Sequence, residues 1–349
     1  MYQRELQHPK PSPVEHGIPL QGTWDQAFDD VDLLSVHHPY AWPIPKWMKD
    51  LRIKEWQSFI IQDEDFYLEA ILSNIKYYRL AQVFLYDKLT REHLRFRKII
   101  PFGGWRLPRE LSNSSISSKS YGFFFRIHDW LDADMVKVDL DIESTRKRPS
   151  FTAHLEFDLA REKTTPLVAS LLFADRRPMY VYKGFGAVRG DMVYGGRHIS
   201  FNPDRTLGVF SDYKGYYPYR MQAKWCTAFG FDPENRRYGF SIAENQARET
   251  FQNNENALWL EEKLTPLPPV RITMPRGVDS DWVIQDVEGM VDLTFSPKEP
   301  MRTAFSSIVT RSEYHTPLGY YNGVLVNSDG KEIQVRNLWG LGEKLYLRV

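Results

Sequence analysis

The chain has 349 residues, and its 45 Lys plus Arg are balanced by 45 Asp plus Glu, so the formal net charge is zero. Domains usually span ~100–200 residues, so this length predicts two domains or one large β unit. Because nucleic-acid binding depends on a basic surface that releases counterions, the neutral balance argues against a nucleic-acid partner.

The first fifty residues are predicted to form a proline-rich arm. Seven prolines fall between Pro9 and Pro45. Proline interrupts both helices and central strands, so we expect this arm to pack along the body of the protein. Within it, residues 45–51 (PKWMKDL) predict a single helical turn.

From Trp56 onward the pattern changes to short strands separated by turns. The clearest strand lies in residues 134–143 (DMVKVDLDIE), where apolar residues from Val136 to Ile142 alternate with Lys and Asp. A period of two predicts a half-buried strand with one solvated face.

The same rhythm continues in the second half, after a predicted linker at residues 161–166 (REKTTP). We therefore divide the chain into the arm (1–50), a first β domain (51–164) and a second β domain (165–349). Only residues 246–254 (QARETFQNN) predict a helix. Many short antiparallel strands at regular spacing are typical of a sandwich or barrel, so the predicted fold is all-β, with two successive barrels or sandwiches and few short helices.

Signals for export and membrane insertion are missing from the sequence. Residues 1–17 have no apolar core of the kind that a signal peptide needs. No uncharged run approaches the ~18 residues of a membrane helix. The single cysteine, Cys226, cannot form an internal disulfide, which is typical of a reducing compartment. We therefore expect a cytoplasmic protein with no transmembrane segment.

Familiar catalytic and cofactor signatures are also missing. There is no phosphate-binding loop and no Gly-x-Ser-x-Gly nucleophile elbow. The glycines of residues 183–190 (KGFGAVRG) miss the dinucleotide-binding spacing by one residue and lie among strands. The acidic residues around Asp139 lack the glycine and the spacing of an ion-binding loop. Nothing in the sequence therefore requires a metal or an organic cofactor.

The segment from Asp212 to Trp259 combines carboxyl, aromatic and amide side chains. Burial of a carboxyl against apolar rings raises its pKa and keeps a proton available for general-acid catalysis. Our first candidate for the acid is Asp212, followed by Glu255 and Glu244. The candidate ligand-binding residues are Tyr219, Arg220, Trp225, Asn256 and Trp259.

These candidates also have structural explanations, which the sequence leaves open. Asp212 can cap a turn before Gly215, and residues 254–256 can form a turn. Trp225 and Trp259 can belong to an ordinary core. Strand alternation also places Arg220 and Trp225 on opposite faces unless a bulge intervenes, which weakens any site that needs both.

The chain resembles a bacterial family catalogued as domain of unknown function 2804. The resemblance covers residues 56–349 and rests on "KEWQSFIIQDEDFYLEAILSNI", the W-R-L-P-R of residues 105–109, the run from Asp212 to Arg220, "ENALW" with "LPPVRITMP", and "LGYYNGVLVNSDGKEIQVRNLWGLGEK". The family usually has a Trp-x-Trp pair after the Tyr-Arg, whereas here the first position is Ala223 and only Trp225 remains. If that pair stacks on a ligand, this chain binds a different one.

The family is in turn similar to tandem lipocalin-like proteins, a group that includes carotenoid hydratases and tocopherol cyclases. This resemblance implies two lipocalin-like barrels that hold a long apolar molecule. By analogy between folds, it also implies that a buried carboxyl can protonate an alkene.

Three functions are compatible with these observations. The first is an enzyme that hydrates, cyclises or isomerises a lipophilic, isoprenoid-like substrate, with a buried acid and aromatic faces that stabilise a cation. The second is non-catalytic binding of a lipid or pigment. The third is a carbohydrate-active protein with paired carboxylates, which a wide polar cleft would favour and a narrow apolar cavity would count against. The expected partner is thus an apolar small molecule, and the sequence leaves the oligomeric state open.

Overall fold

The computed structural model describes residues 2–40, 42–101, 105–146, 148–159, 163–306 and 311–348. Within these ranges the regular structure consists of 26 β-strands, one α-helix and two short 3₁₀ helices. The all-β prediction is therefore confirmed. Residues 161 and 162 of the predicted linker lie outside the described ranges.

The N-terminal arm is mostly irregular. Its short elements are β1 (Val14–Glu15), β2 (Ile18–Pro19), β3 (Gly22–Trp24) and a 3₁₀ helix (Leu33–Ser35). The helix α1 (Lys46–Arg52) follows and occupies the position at which the sequence predicted a helical turn. Pro45 directly precedes this helix, where a missing backbone N–H costs nothing.

In the described ranges, the first sheet contains thirteen antiparallel strands, of which β3 is one. The other twelve are β4 (Lys54–Gln62), β5 (Phe66–Asn74), β6 (Tyr78–Asp87), β7 (His93–Pro101), β8 (Ser114–Ser120), β9 (Phe123–Trp130), β10 (Met135–Ile142), β11 (Phe151–Asp158), β12 (Leu167–Ala174), β13 (Arg177–Tyr194), β14 (Arg197–Phe201) and β15 (Leu207–Gly215). A second 3₁₀ helix, Leu131–Ala133, joins β9 to β10. The main path runs β7-β6-β5-β4-β15-β13-β11-β10-β9-β8, while β12 and β14 pair with β13, and β3 pairs with β12.

The second sheet contains eleven antiparallel strands in the part of the chain that the structure describes. They are β16 (Arg220–Phe231), β17 (Arg237–Glu244), β18 (Ala257–Leu260), β19 (Lys263–Pro266), β20 (Arg271–Thr273), β21 (Trp282–Gln285), β22 (Val291–Glu299), β23 (Arg302–Ser306), β24 (Arg311–His315), β25 (Leu318–Val326) and β26 (Glu332–Arg348). The path runs β19-β18-β17-β16-β26-β25-β22-β21-β20, with β24 paired to both β23 and β26.

Each sheet curls on itself, so the chain forms two successive lipocalin-like barrels. The sheets change between Gly215 and Arg220, because β12 to β15 all pair within the first sheet. The division of folding domains near Thr164 stays a prediction. The strands on either side of it in the chain, β11 and β12, both pair with β13.

The helix predicted over residues 246–254 is wrong, because this segment forms turns. Glu249 has a φ of 51°, in the left-handed region that a continuous helix excludes. The side chain of Asn245 also accepts a hydrogen bond from the backbone N–H of Ala247 at 2.9 Å. Such local side-chain bonds compete with helical hydrogen bonds.

Apolar side chains fill both barrels and the space between them. The first barrel is filled by residues that include Phe59, Phe125 and Phe157, and the second by residues that include Trp282 and Phe295. Two further clusters combine residues of both sheets. The central strands are therefore buried on both faces, and all nine residues of β15 are buried. The contact between the barrels thus extends the core across both halves of the chain.

Candidate functional site

A cavity of about 180 Å³ lies between the outer faces of the two sheets. Strand alternation builds it, because every second residue of a strand points to the same side. On β4, for example, Trp56 and Ser58 face the cavity, whereas Phe59 and Ile61 fill the first barrel.

Aromatic side chains from both sheets line this cavity. They are Trp56, Tyr78, Tyr213, Tyr217, Trp225 and Tyr314. The ring of Trp56 stacks on Tyr213, with centroids 4.7 Å apart, and on Tyr217, with centroids 5.4 Å apart. Such a lining presents flat π faces to whatever occupies the cavity.

Glu69, on β5, places a carboxyl in this aromatic cavity. It is only 5% exposed, and burial together with repulsion from Glu343 raises its pKa to about 8, although Arg95 acts in the opposite direction. No hydrogen bond to another described side chain contributes to this shift. Glu69 is therefore mainly protonated at neutral pH, and its proton is not committed to a described partner.

Glu343, on β26, lies on the opposite wall of the cavity. Burial raises its pKa, while Tyr314 and Lys183 lower it and Glu255 raises it further. The Tyr314 hydroxyl donates a hydrogen bond to this carboxyl. The negative charge of Glu343 raises the pKa of Glu69, because two like charges repel strongly where water is excluded.

Glu255 lies beside the cavity, in the loop before β18, and is almost fully buried. Its carboxyl accepts hydrogen bonds from the Tyr213 hydroxyl at 2.5 Å, from Asn245 Nδ2 at 2.9 Å and from Trp225 Nε1 at 3.3 Å. The Nζ of Lys183 lies 3.5 Å from it. With its oxygens engaged in this way, Glu255 holds two aromatic residues of the cavity in place.

Lys183, on β13, is the cation of this group. It donates a hydrogen bond to Ser241 Oγ at 2.5 Å, and its ammonium lies 5.4 Å from the ring centroid of Tyr213. Burial lowers its pKa, while Glu255 and Glu343 raise it. Lys183 thus offsets part of the negative charge that ionised carboxyls would bring into the cavity.

Asp212, our first candidate for the acid, is fully buried on β15 but is not part of the cavity lining. Its neighbours Ser211 and Tyr213 face the cavity, so Asp212 points into the first barrel. There it forms an ion pair with Lys214. Burial raises its pKa, while the charge of Lys214 and its hydrogen bond lower it.

Glu244, on β17, is separated from the cavity and lines a polar surface cleft. It pairs with Lys224 at 2.7 Å and with Arg271 at 3.0 Å, and accepts the backbone N–H of Ile272 at 2.9 Å. Although burial acts in the opposite direction, these partners lower its pKa, so Glu244 is ionised at neutral pH.

The candidate ligand-binding residues are distributed over several places. Trp225 lines the cavity, whereas Tyr219 is 52% exposed and Arg220 is also exposed. Asn256 and Trp259 are buried and hold the backbone: Asn256 bonds to Ala243 N–H and Pro268 C=O, and Trp259 Nε1 donates to Thr165 C=O. The structure therefore brings together Trp225 and Glu255, but not the other candidates.

Sequence reasoning missed Glu69, Lys183 and Glu343. Glu69 and Lys183 are each a lone charge in an otherwise apolar stretch, "FYLEAIL" and "YVYKGFG", whereas Glu343 is followed directly by Lys344 in "LGEKLYL". Charged side chains are almost never fully buried unless they are paired, so such lone charges are a usable signal for an internal polar site.

Two classes of feature are not found in the described parts of the chain. There, no group of three or more His, Cys, Asp or Glu side chains is arranged to hold a metal ion. The same ranges contain no helix of the length and apolarity needed to cross a membrane.

Comparison with known proteins gives a family and a fold. The model of a family described as "Domain of unknown function (DUF2804)" matches residues 3–348, which includes the arm that the sequence resemblance did not cover. No curated protein sequence matches the chain.

Eight solved chains match the fold, among them two crystal structures. One is that of CghA, with a TM-score of 0.54 and 10% identity over 85% of this chain and 88% of that chain. The other is kievitone hydratase from Nectria haematococca, with a TM-score of 0.51 and 13% identity over 84% of this chain and 88% of that chain. At these identities the similarity shows a shared fold.

Proposed function

The chain belongs to the DUF2804 family, and we propose that the cavity between its barrels binds a largely apolar, unsaturated small molecule that Glu69 protonates. The observation that carries this proposal is a carboxyl with a pKa of about 8 in an aromatic cavity. A general acid works best when its pKa lies near the working pH, and Glu69 meets this condition.

The size and lining of the cavity support an apolar ligand. An engineered apolar cavity of ~150 Å³ binds benzene, so a cavity of about 180 Å³ holds a ring or a group of similar size. Trp56, Tyr213 and Trp225 provide faces on which such a group stacks.

Lys54 supplies a polar contact in the same cavity. It is buried, and its Nζ donates to the carbonyls of Leu51 at 2.8 Å and Ile75 at 3.0 Å. Burial, together with the charges of Arg52 and Lys76, lowers its pKa to about 7, against the attraction of Asp50 and Glu55. We assign Lys54 to an oxygen of the ligand, such as a hydroxyl or a carbonyl.

The chemistry begins when Glu69 transfers its proton to one carbon of a C=C bond. The π electrons form the new C–H bond, and the positive charge that develops on the second carbon faces the aromatic rings. Loss of a neighbouring proton to solvent completes an isomerisation. Attack by a second double bond moves the charge to a new carbon, and loss of a proton next to that carbon completes a cyclisation. Attack by water followed by proton loss completes a hydration. Glu69 then takes a proton from solvent, because Glu343 and burial disfavour its ionised form.

The hydration route is placed first among these for one reason. One of the structures of similar fold is named a hydratase, which agrees with water as the nucleophile. The mainly apolar lining counts against a carbohydrate-active site in this cavity. In the polar surface cleft, the carboxylate of Glu244 is already engaged by Lys224, Arg271 and the backbone N–H of Ile272.

Native mass spectrometry of the freshly purified protein, followed by solvent extraction, tests the binding step. The wild type is expected to carry an apolar molecule. Ile71→Trp, which fills the cavity, is expected to lose it, while Leu89→Trp on the exposed surface is the matched control. Equal occupancy of wild type and Ile71→Trp would place the ligand elsewhere.

The acid step is tested with the molecule identified in this way. Glu69→Gln keeps the volume and polarity of a protonated carboxyl but has no acidic proton to transfer. It is expected to bind the molecule with unchanged stoichiometry and to convert it at least a hundredfold more slowly, since a general acid contributes ~10²–10⁴-fold. Unchanged conversion by Glu69→Gln would exclude Glu69 as the acid.

A further inference from the structure

The first residues of the chain connect the two barrels. Gln7 exchanges backbone hydrogen bonds with β3, donating to Thr23 C=O at 2.9 Å and accepting from Asp25 N–H at 3.1 Å. Five residues earlier, the Tyr2 hydroxyl donates to Phe251 C=O at 2.8 Å in the loop before β18. Residues 2–7, which we call the N-terminal strap, thus reach from the first sheet to the loop that carries Glu255.

Arg4 is the central contact of the strap. Its Nη1 donates to the carbonyl of Asn254 at 2.9 Å, and its Nη2 donates to the carbonyl of Asn256 at 3.0 Å. These two residues flank Glu255. Burial lowers the pKa of Arg4, while Tyr2 raises it. A guanidinium stays charged in proteins, so both contacts are charge-assisted hydrogen bonds.

The Asn254 carbonyl depends on this contact more than the Asn256 carbonyl does. Asn256 C=O also accepts the backbone N–H of Leu267 at 2.9 Å. For Asn254 C=O, Arg4 is the one donor found among the described residues. Because a buried carbonyl without a partner costs free energy, loss of Arg4 favours a rotated or shifted peptide next to Glu255.

We propose that Arg4 is a positioning residue that acts through Glu255 on the cavity. Glu255 holds Tyr213 and Trp225 by hydrogen bonds, and both of these residues line the cavity. A shift of the loop at residues 254–256 therefore moves the aromatic wall. The structural link from Arg4 through Glu255 to Trp225 exists without a bound ligand. The effect of Arg4 on the affinity of the cavity for a ligand, in contrast, rests on the proposed function.

The indole N–H resonance of Trp225 reports this link directly. Protein labelled with ¹⁵N-tryptophan shows one such signal per tryptophan, and Trp225→Phe assigns the one in question. Arg4→Gln is expected to shift or broaden the Trp225 signal, because the indole N–H of Trp225 donates a hydrogen bond to Glu255 and moves when the loop at residues 254–256 moves. The signal of Trp282, whose N–H bonds to Val278 C=O in the second barrel, is expected to stay in place.

Two further variants serve as a control and as a replacement in this test. Lys10→Gln removes an exposed cation of the arm, which pairs with Glu15, and is expected to leave the Trp225 signal unchanged. If Arg4→Gln does not fold, Arg4→Lys replaces it, because a lysine keeps the charge but cannot span both carbonyls. A Trp225 signal that is unaltered in the folded Arg4 variant overturns the proposal.

A double-mutant cycle extends the test to binding of N-phenyl-1-naphthylamine, a neutral apolar dye. Arg4→Gln is expected to weaken dye binding about tenfold in the wild-type background and less than twofold in Glu255→Gln. Equal losses in the two backgrounds would show that Arg4 does not act through Glu255. Failure of the wild type to bind any apolar molecule would count against the proposed function, while the Trp225 signal would still decide the role of the strap.

Discussion

Glu69→Gln is expected to change how the stability of the protein depends on pH. In the folded protein, burial and the charge of Glu343 raise the Glu69 pKa from 4.5 to about 8. Between these two pH values the folded state binds one proton more than the unfolded state. Stability from this group is therefore complete below pH 4.5 and is lost as pH rises through about 8.

The size of the effect follows from the same two pKa values. At ~1.4 kcal/mol for each pKa unit, a rise from 4.5 to about 8 corresponds to a loss of about 5 kcal/mol. Gln resembles the protonated carboxyl at every pH. The stability of Glu69→Gln minus that of wild type should therefore increase by about 5 kcal/mol from acidic to alkaline pH. This is a large part of the ~5–15 kcal/mol that stabilises a typical domain.

Urea unfolding of both proteins at a series of pH values, followed by tryptophan fluorescence, measures this difference. Buried groups that do not interact with Glu69 contribute equally to both proteins and cancel in the comparison, whereas the interaction of Glu69 with Glu343 is part of the measured difference. Glu64→Gln, which removes an exposed carboxyl, is the control and should show a nearly constant difference. A constant difference for Glu69→Gln as well would refute the protonated carboxyl on which the proposed acid depends.

Three further outcomes are expected. Trp225→Phe, which replaces the indole with a smaller ring and removes the hydrogen bond to Glu255, should weaken binding of N-phenyl-1-naphthylamine about tenfold. Unchanged affinity would remove Trp225 from the binding site. Cys226 is buried, and burial raises its pKa to about 12. Iodoacetamide should therefore alkylate this thiol about a hundredfold more slowly in the native protein than in the urea-unfolded protein. Comparable alkylation rates would show that the second barrel opens readily. Gly340→Ala should lower the free energy of unfolding by about 1–3 kcal/mol, because the added Cβ at position 340 would lie 2.5 Å from the Thr227 carbonyl oxygen and from the Ala228 Cβ. If urea unfolding shows wild-type stability for this variant, the strands β16 and β26 separate at little cost in free energy.

The strands could be predicted from sequence wherever one face is wet. In residues 134–143 the alternation predicted a strand, and β10 buries Val136, Val138, Leu140 and Ile142 as the pattern requires. The pairing of β10 with β9 and β11 then follows from short connections between neighbouring strands. The helix at residues 246–254 failed because local hydrogen bonds of Asn side chains, which a propensity argument ignores, decide that segment.

The candidate site was harder to predict because its strands are buried on both faces. On β15, Asp212 and Tyr213 are both fully enclosed, so no polar alternation shows which of them meets the other barrel. The cavity also depends on how the two sheets face each other. The packing of the sheets brings Glu69 of β5 and Glu343 of β26 into the same cavity, although the two residues are far apart in sequence. Alternation alone did predict that Arg220 and Trp225 diverge, and the structure confirms this, since Arg220 is exposed and Trp225 is buried.

Proton transfer by Glu69 is the central claim, and deuterium incorporation tests it most directly. The molecule extracted from the protein would be incubated with wild type and with Glu69→Gln in D₂O and analysed by mass spectrometry. In the proposed scheme, hydration, cyclisation and isomerisation all begin with a proton delivered to carbon, so wild type is expected to incorporate one carbon-bound deuterium per turnover. Glu69→Gln is expected to incorporate deuterium at least a hundredfold more slowly. Incorporation at the same rate by both proteins, or none by wild type, would contradict the account.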